Sequence, residues 1–336
     1  MTKALITGIT GQDGALLAQL LLSKDHEVAG IYRRLSTPNF WRLMSLNILD
    51  KVKLYQADLH DATSLSYVLK DFEPDEVYHL AAQSFVDASF KEPIATGEVT
   101  GLGTATLLEL IRQNRKEIRF YNAATSELYG NSLKESANED TPFRPSSPYA
   151  AAKLYSLHMC RIYREAYGMF VCSGILFNHE GPLRGLEFVT RKVTNAATKI
   201  KLGLSKELSL GNLEAQRDWG YAPEYCEAMY LMMQASKPDD FVIATNETHS
   251  VKELCSVAFS HLDLSYRDFV KTKEDFLRPL DVEYLKGNPS KAKAKLGWQP
   301  GIKFDELVRL MVEADLDRWQ RQLKGEIVHW DAMNYE

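Results

Sequence analysis

The sequence predicts an α/β protein: a doubly wound parallel sheet with helices on both faces, joined to a smaller mixed α/β lobe. Three observations predict it. Strand-like and helix-like runs alternate through the first half. A glycine turn separates the first strand from the first helix. The second half mixes short apolar runs with loops rich in Gly, Pro, Asn and Arg.

Residues 3–7 (KALIT) form a short apolar run, as expected of a buried strand. Residues 13–24 set Leu16, Leu17, Leu20 and Leu21 along one face at helical spacing. Strands follow at 27–32, 52–57, 76–82, 119–124 and 171–177, with helices between them around 62–71, 97–114 and 149–167. The run 240–245 (DFVIAT) is a late strand able to join the same sheet. Residues 304–320 read as an amphipathic helix, with Leu307, Leu310, Met311 and Ala314 on one face and Asp305 placed to cap its start. Loops at 178–186 and 277–289 interrupt the second half. The expected division is a sheet domain of residues 1–177 plus about 218–247, and a lobe of about 178–217 plus 248–336.

At 336 residues the chain has room for one large domain or two smaller ones. Hydrophobic residues make up 45% and charged residues 25%, which excludes dominant disorder, a collagen-like chain and a coiled-coil rod. A net charge of −5 and a pI of about 6.0 argue against electrostatic capture of nucleic acid or anionic lipid. No run reaches the roughly 18–20 apolar residues of a membrane span, and the first residues lack the apolar core of a secretion signal. A cytoplasmic protein is therefore expected, without nucleic-acid or membrane partners. Cys160, Cys172, Cys226 and Cys255 show no CxxC or metal-ligand spacing, so reduced buried thiols and no metal are expected.

Gly8, Gly11 and Gly14 lie three apart between the first strand and the first helix. Glycine there keeps the turn tight and lets the backbone approach a pyrophosphate, which the helix N-terminus then faces. This is the Rossmann arrangement for a dinucleotide. After the second strand an NAD site places a carboxylate against the ribose 2′-hydroxyl. Here the residues are Arg33-Arg34-Leu35-Ser36, whose guanidiniums and hydroxyl suit a 2′-phosphate, so the expected cofactor is NADP. Asp58 and Leu59 follow the third strand, toward the adenine. Leu80, Ala81, Ala82, Gln83 and Ser84 follow the fourth, toward the middle of the dinucleotide.

Tyr149 and Lys153 form a Tyr-x-x-x-Lys pair, on one face of a helix. A nearby ammonium favours phenolate and is expected to bring the tyrosine down toward neutral. Such a tyrosine takes a hydroxyl proton while hydride leaves the same carbon. Chance supplies about one such pair in a chain of this composition, so its weight comes from lying downstream of the dinucleotide turn. The fifth strand ends in Thr125-Ser126-Glu127, at the crevice where open α/β sheets bind ligands. Thr125 or Ser126 suits a hydrogen bond to a sugar oxygen. Glu127 is a second acid/base, and two at one site fit elimination of water.

The stretches TGITGQDG, RRLS, LAAQSFV, ATSELYG, SPYAAAK, GILFNHEGPLRG, EFVTRKV, LGNLEAQRDWG and FVIAT together resemble an extended short-chain dehydrogenase/reductase, and within that group the GDP-mannose 4,6-dehydratase family, over essentially the whole chain. The resemblance implies a catalytic set of Thr125, Glu127, Tyr149 and Lys153. It implies that NADP is held by Gly8, Ile9, Thr10, Gly11, Gln12 and Asp13, by Arg33, Asp58 and Leu59, by Leu80 to Ser84, by Tyr149 and Lys153, and by His179 and Arg184. The GDP-sugar would meet Ser84, Asn178, Val189, Lys192, Arg217 and Arg278. A homodimer or homotetramer is implied, with no metal.

The implied reaction is redox-neutral. Tyr149 takes the C4 hydroxyl proton as hydride leaves C4, Glu127 moves the C5 proton and releases the C6 hydroxyl as water, and hydride returns to C6. A GDP-manno-heptose substrate is an alternative, as is a 4-epimerase or 4-ketoreductase of the same fold. The chain departs from the family pattern at Leu35, Phe85 and Gly181, near the cofactor and the sugar.

Overall fold

The structure, a computed structural model, describes residues 1–115, 117–132, 135–273, 280 and 282–331. Its centre is a seven-stranded sheet of β1 (Lys3–Thr7), β2 (Glu27–Tyr32), β3 (Lys53–Gln56), β4 (Glu76–His79), β5 (Arg119–Thr125), β6 (Val171–Leu176) and β7 (Asp240–Ile243). The strands are all parallel in the order β7-β6-β5-β4-β1-β2-β3. Every residue of β4 and β6 is buried, as a sheet covered on both faces requires. The order reverses between β1 and β4, and it is outside the carboxyl ends of such a pair that open sheets hold ligands.

Helices supply the two covers. On one face lie α1 (Gln12–Ser23) and a later helix of residues Ala222–Gln234, whose Leu17, Leu21, Met229 and Met232 share one core. On the other lie α2 (Ala62–Phe72), α3 (Gly103–Asn114) and α4 (Pro148–Tyr167), packing through Leu65, Leu107, Ile111, Cys160 and Tyr163. A separate core joins α5 (Val189–Lys201), the helix Val251–Ser260 and the helix Phe304–Leu323 through Val193, Ala197, Leu254, Phe259, Leu307 and Met311. Short strands edge this lobe: Asn178–Glu180 pairs with Trp219–Tyr221, and Gln216–Arg217 with His249–Ser250. Residues later than 281 also return to the sheet, where Val282, Leu285 and Trp298 are buried.

Several elements differ from their sequence reading, each for a local reason. The run 76–82 stops as a strand at His79, because the Leu80 and Ala81 N–H groups turn to Thr7 Oγ1 at 3.1 Å each. The run 240–245 stops at Ile243, because Thr245 N–H donates to Asp218 at 2.8 Å. The helix expected over 97–114 is two pieces: Gly97–Leu102 is a π-helix that passes into α3. There the Thr100 carbonyl accepts from the hydroxyls of Thr104 at 2.9 Å and Ser156 at 2.6 Å, competing with the regular helical ladder. Asp305 does not cap the last helix. Lys303 is the cap, and Asp305 sits in the first turn, where a carboxylate favours the helix dipole.

Cys160, Cys172, Cys226 and Cys255 are free and buried. Among the described residues, no helix is long and apolar enough to cross a membrane.

Candidate active site

A cleft of about 520 Å³ opens at the carboxyl ends of the strands, between the sheet domain and the lobe. Its floor is the turn from β1 to α1. Gly8 has φ +75°, a conformation that favours glycine. Gly8 N–H ties the turn to β2 by donating to Ile31 O at 3.2 Å, and Gly11 N–H closes it by donating to Gly8 O at 3.0 Å. A Cβ on Gly14 would overlap the Gly8 carbonyl, and one on Gly8 would press on the Ala81 backbone at 3.0 Å. No side chain caps α1 at Gly11. Gly11 to Gly14 line the cleft, which puts the positive end of the helix dipole at its floor. The close-approach cradle and the uncapped helix together fit the pyrophosphate of a dinucleotide.

The sequence-predicted cofactor residues divide by position. Gly8, Gly11, Gln12, Asp13, Leu80, Ala82, Ser84, His179 and Arg184 line the cleft. Ile9 is buried, filling the space a side chain at Gly30 would need, and Thr10 turns its carbonyl to Arg42 at 3.1 Å. Ala81 gives its N–H to Thr7, and the Gln83 side chain is engaged with both backbone groups of Phe85. Arg33 is exposed directly after β2. Asp58 accepts from His60 N–H at 3.0 Å, while Leu59 is buried against Gly103. Arg33, Asp58 and Leu59 lie beyond the lining of the cleft proper. Arg278 is outside the described residues.

The reactive wall comes from β5 and α4. Thr125 ends β5, and Ser126 and Glu127 enter the short turn after it, where Glu127 N–H donates to Thr125 Oγ1 at 3.3 Å. Ser147 caps α4 through Ala150 N–H at 3.1 Å, and Pro148 opens the helix, which fixes Tyr149 in its first turn. Lys153 stands one turn later and donates to Ala123 O at 2.6 Å. Thr125, Glu127, Tyr149 and Lys153 are all buried and all line the cleft. Burial draws the Lys153 ammonium down to about 8. Burial also pushes Tyr149 up to about 12, with a hydrogen bond from Thr125 opposing it. This corrects the expectation that Lys153 brings Tyr149 toward neutral. Lys153 is not among the leading influences on Tyr149, and desolvation of the phenolate prevails.

The facing wall belongs to the lobe. His179 Nε2 meets Asp13 Oδ2 at 2.8 Å and its Nδ1 meets Phe177 O at 2.7 Å, while the ring stacks on Tyr225 with centroids 4.6 Å apart. Burial opposes charge on both partners. The His179–Asp13 attraction and hydrogen bond outweigh it, so Asp13 is held at about 2 and His179 is raised. Arg184 reaches Glu180 at 3.0 Å and lies 3.5 Å over the Phe188 ring. Asn178, Val189, Lys192 and Arg217 line the same cleft. Burial lowers Lys192. Sequence reasoning missed Arg42, and it put Phe85 near the cofactor and the sugar without its partner Phe188, an edge-to-face contact of 6.0 Å within the lining. The one signal for Arg42 was a charge inside the apolar run 40–44.

Residues 5–311 match the family model described as GDP-mannose 4,6 dehydratase. GDP-mannose 4,6 dehydratase 1 of Arabidopsis thaliana is 48% identical over 329 residues, covering 95% of this chain and 91% of that protein. The human GDP-mannose 4,6 dehydratase is 45% identical over 339 residues, covering 94% and 91%. Among solved structures, UDP-glucose 4-epimerase of Thermus thermophilus, a complex with NAD, superposes with a TM-score of 0.83 at 27% identity, covering 94% of this chain and 99% of that one.

Proposed function

The chain belongs to the GDP-mannose 4,6-dehydratase family, and from that premise and the cleft we infer that it converts GDP-mannose to GDP-4-dehydro-6-deoxy-mannose with NADP as a returning cofactor. The observation that carries this is the pairing of two proton-transfer groups in one cleft: Tyr149 from α4 and Glu127 from the end of β5, both buried beside the dinucleotide turn. An epimerase or ketoreductase needs only the first.

When bound, the nicotinamide supplies a hydride acceptor that takes hydride from C4 and returns it at C6, and in its oxidised form a positive charge that favours phenolate. Tyr149 removes the C4 hydroxyl proton, with Thr125 bonded to it and Lys153 holding the surrounding backbone. The C4 ketone acidifies C5–H, so Glu127 takes that proton and delivers one to the departing C6 hydroxyl. Arg33 and Arg34 at the end of β2 support a 2′-phosphate and hence NADP. Lys192 and Arg217 on the lobe side are suited to the GDP diphosphate.

The test is incubation of purified protein, NADP and GDP-mannose bearing deuterium at C4. Product lighter by one water with the label at C6 is expected. Unchanged GDP-mannose, or label lost to solvent, refutes the assignment.

A further inference from the structure

Two buried guanidiniums grip the loop that carries Arg184. Arg191, fully buried in α5, donates from Nε to both oxygens of Asp315 at 2.7 and 3.0 Å, and from Nη1 to the carbonyls of Pro182 at 3.0 Å and Arg184 at 2.7 Å. Arg42 donates from Nε to the carbonyl between them, Leu183, at 2.7 Å, and from Nη1 to Thr10 O at 3.1 Å. Three successive carbonyls are therefore held from two sides, and Arg42 ties them to the phosphate turn.

The principal countercharge for this pair comes from two places, with Glu187 adding a weaker attraction on Arg42. Asp315 is shared among Arg191, Thr194 at 2.7 Å and Arg318 at 3.1 Å. The second carboxylate is Asp331, at the far end of the described chain. Its Oδ2 is 3.9 Å from Arg42 Nη2, and its Oδ1 is 4.0 Å from Arg191 Nη2. The segment is seated by Trp330, which packs with Trp41, Leu183 and Leu186 and donates to Gln322 at 3.2 Å. Burial lowers Arg42 to about 10, and Asp331 is the strongest group opposing that.

We propose that Asp331 is a positioning residue whose carboxylate, bridging Arg42 and Arg191, fixes the 182–184 loop against the phosphate turn for dinucleotide binding. This rests on the dinucleotide reading of the cleft. Without the carboxylate two guanidiniums face each other in a poorly screened interior, and Arg42 is driven off the Thr10 and Leu183 carbonyls. An amide of the same shape cannot replace the charge.

The experiment compares the parent with Asp331→Asn and Asp331→Glu. Hydrogen exchange without ligand reads the loop, where Arg184 N–H donates to Gly181 O at 3.0 Å and Phe188 N–H to Gly185 O at 3.2 Å. Calorimetry reads NADP affinity. Asp331→Asn is expected to exchange about tenfold faster over 181–188, with the sheet unchanged, and to bind NADP about tenfold more weakly; Asp331→Glu restores both. An Asn variant that matches the parent overturns the proposal. So does equal loss in Asn and Glu, which would point to shape alone, and so does faster exchange throughout the molecule, which would make the role purely structural. A parent that binds no dinucleotide overturns the reading of the cleft instead, and the exchange arm, needing no ligand, still decides the role of Asp331.

Discussion

Replacing Thr125 by Val removes one hydroxyl and keeps the shape of the β5 terminus. That hydroxyl is bonded to Tyr149 and is the leading influence holding the phenol down against burial. A hydrogen bond to a charged group contributes about 1.5–3 kcal/mol, which is about ten- to a hundredfold in the phenolate fraction at a fixed pH. Phenolate is the proton-accepting form, so activity rises with pH through the Tyr149 titration, and losing the hydroxyl moves that acid limb to higher pH. The assay is kcat against pH with saturating NADP and sugar, which reports the bound complex. The variant should be slow at neutral pH and recover as the pH is raised. An acid limb at the same pH in both proteins would refute the reasoning, whatever the absolute rates.

Glu127→Gln should still oxidise C4 but not expel water, so reduced cofactor accumulates on the enzyme and is read by its near-ultraviolet absorbance; normal water release by this variant would remove Glu127 from the mechanism. Arg33→Ala should weaken NADP and leave NAD unaffected, and a titration finding both equally changed would mean the side chain reads no 2′-phosphate. Asp13→Asn should flatten the acid side of the stability curve. Asp13 is held at about 2 against an ordinary 3.8, so its contribution is complete above about pH 4 and lost as the pH falls toward 2. The raised His179 acts in the other direction, contributing at low pH and losing its effect as the pH climbs through its titration. Chemical denaturation at pH 3 and pH 7 checks the Asp13 outcome, and equal loss at both pH values contradicts it.

The parallel sheet was legible because each strand is a short apolar run between helical spacings, and two covered faces leave no polar alternation to confuse them. The turn was legible because Gly8 and Gly14 meet backbone at once if given a side chain. What escaped depends on partners far away in the chain. The π-turn around Thr100 needs Ser156, strand β7 ends where Asp218 intercepts Thr245, and Arg42 finds its carbonyls at Thr10 and Leu183. The Tyr149 titration escaped for a different reason. Helical spacing puts Lys153 one turn away, but only the packed structure reveals how deeply the phenol is buried and that Lys153 is not among the leading influences on it.

The seclusion of the four cysteines makes this chain a convenient carrier for a single reporter. Burial pushes Cys160 and Cys255 to about 12 and Cys172 to about 11, and it raises Cys226 well above the ordinary thiol range too. Reaction of any of them with an alkylating reagent at neutral pH therefore requires the surrounding core to open, so native-state labelling reads unfolding directly. A fluorophore coupled to one cysteine introduced at the exposed Asn212, on the rim of the cleft, would follow ligand entry without removing a native thiol.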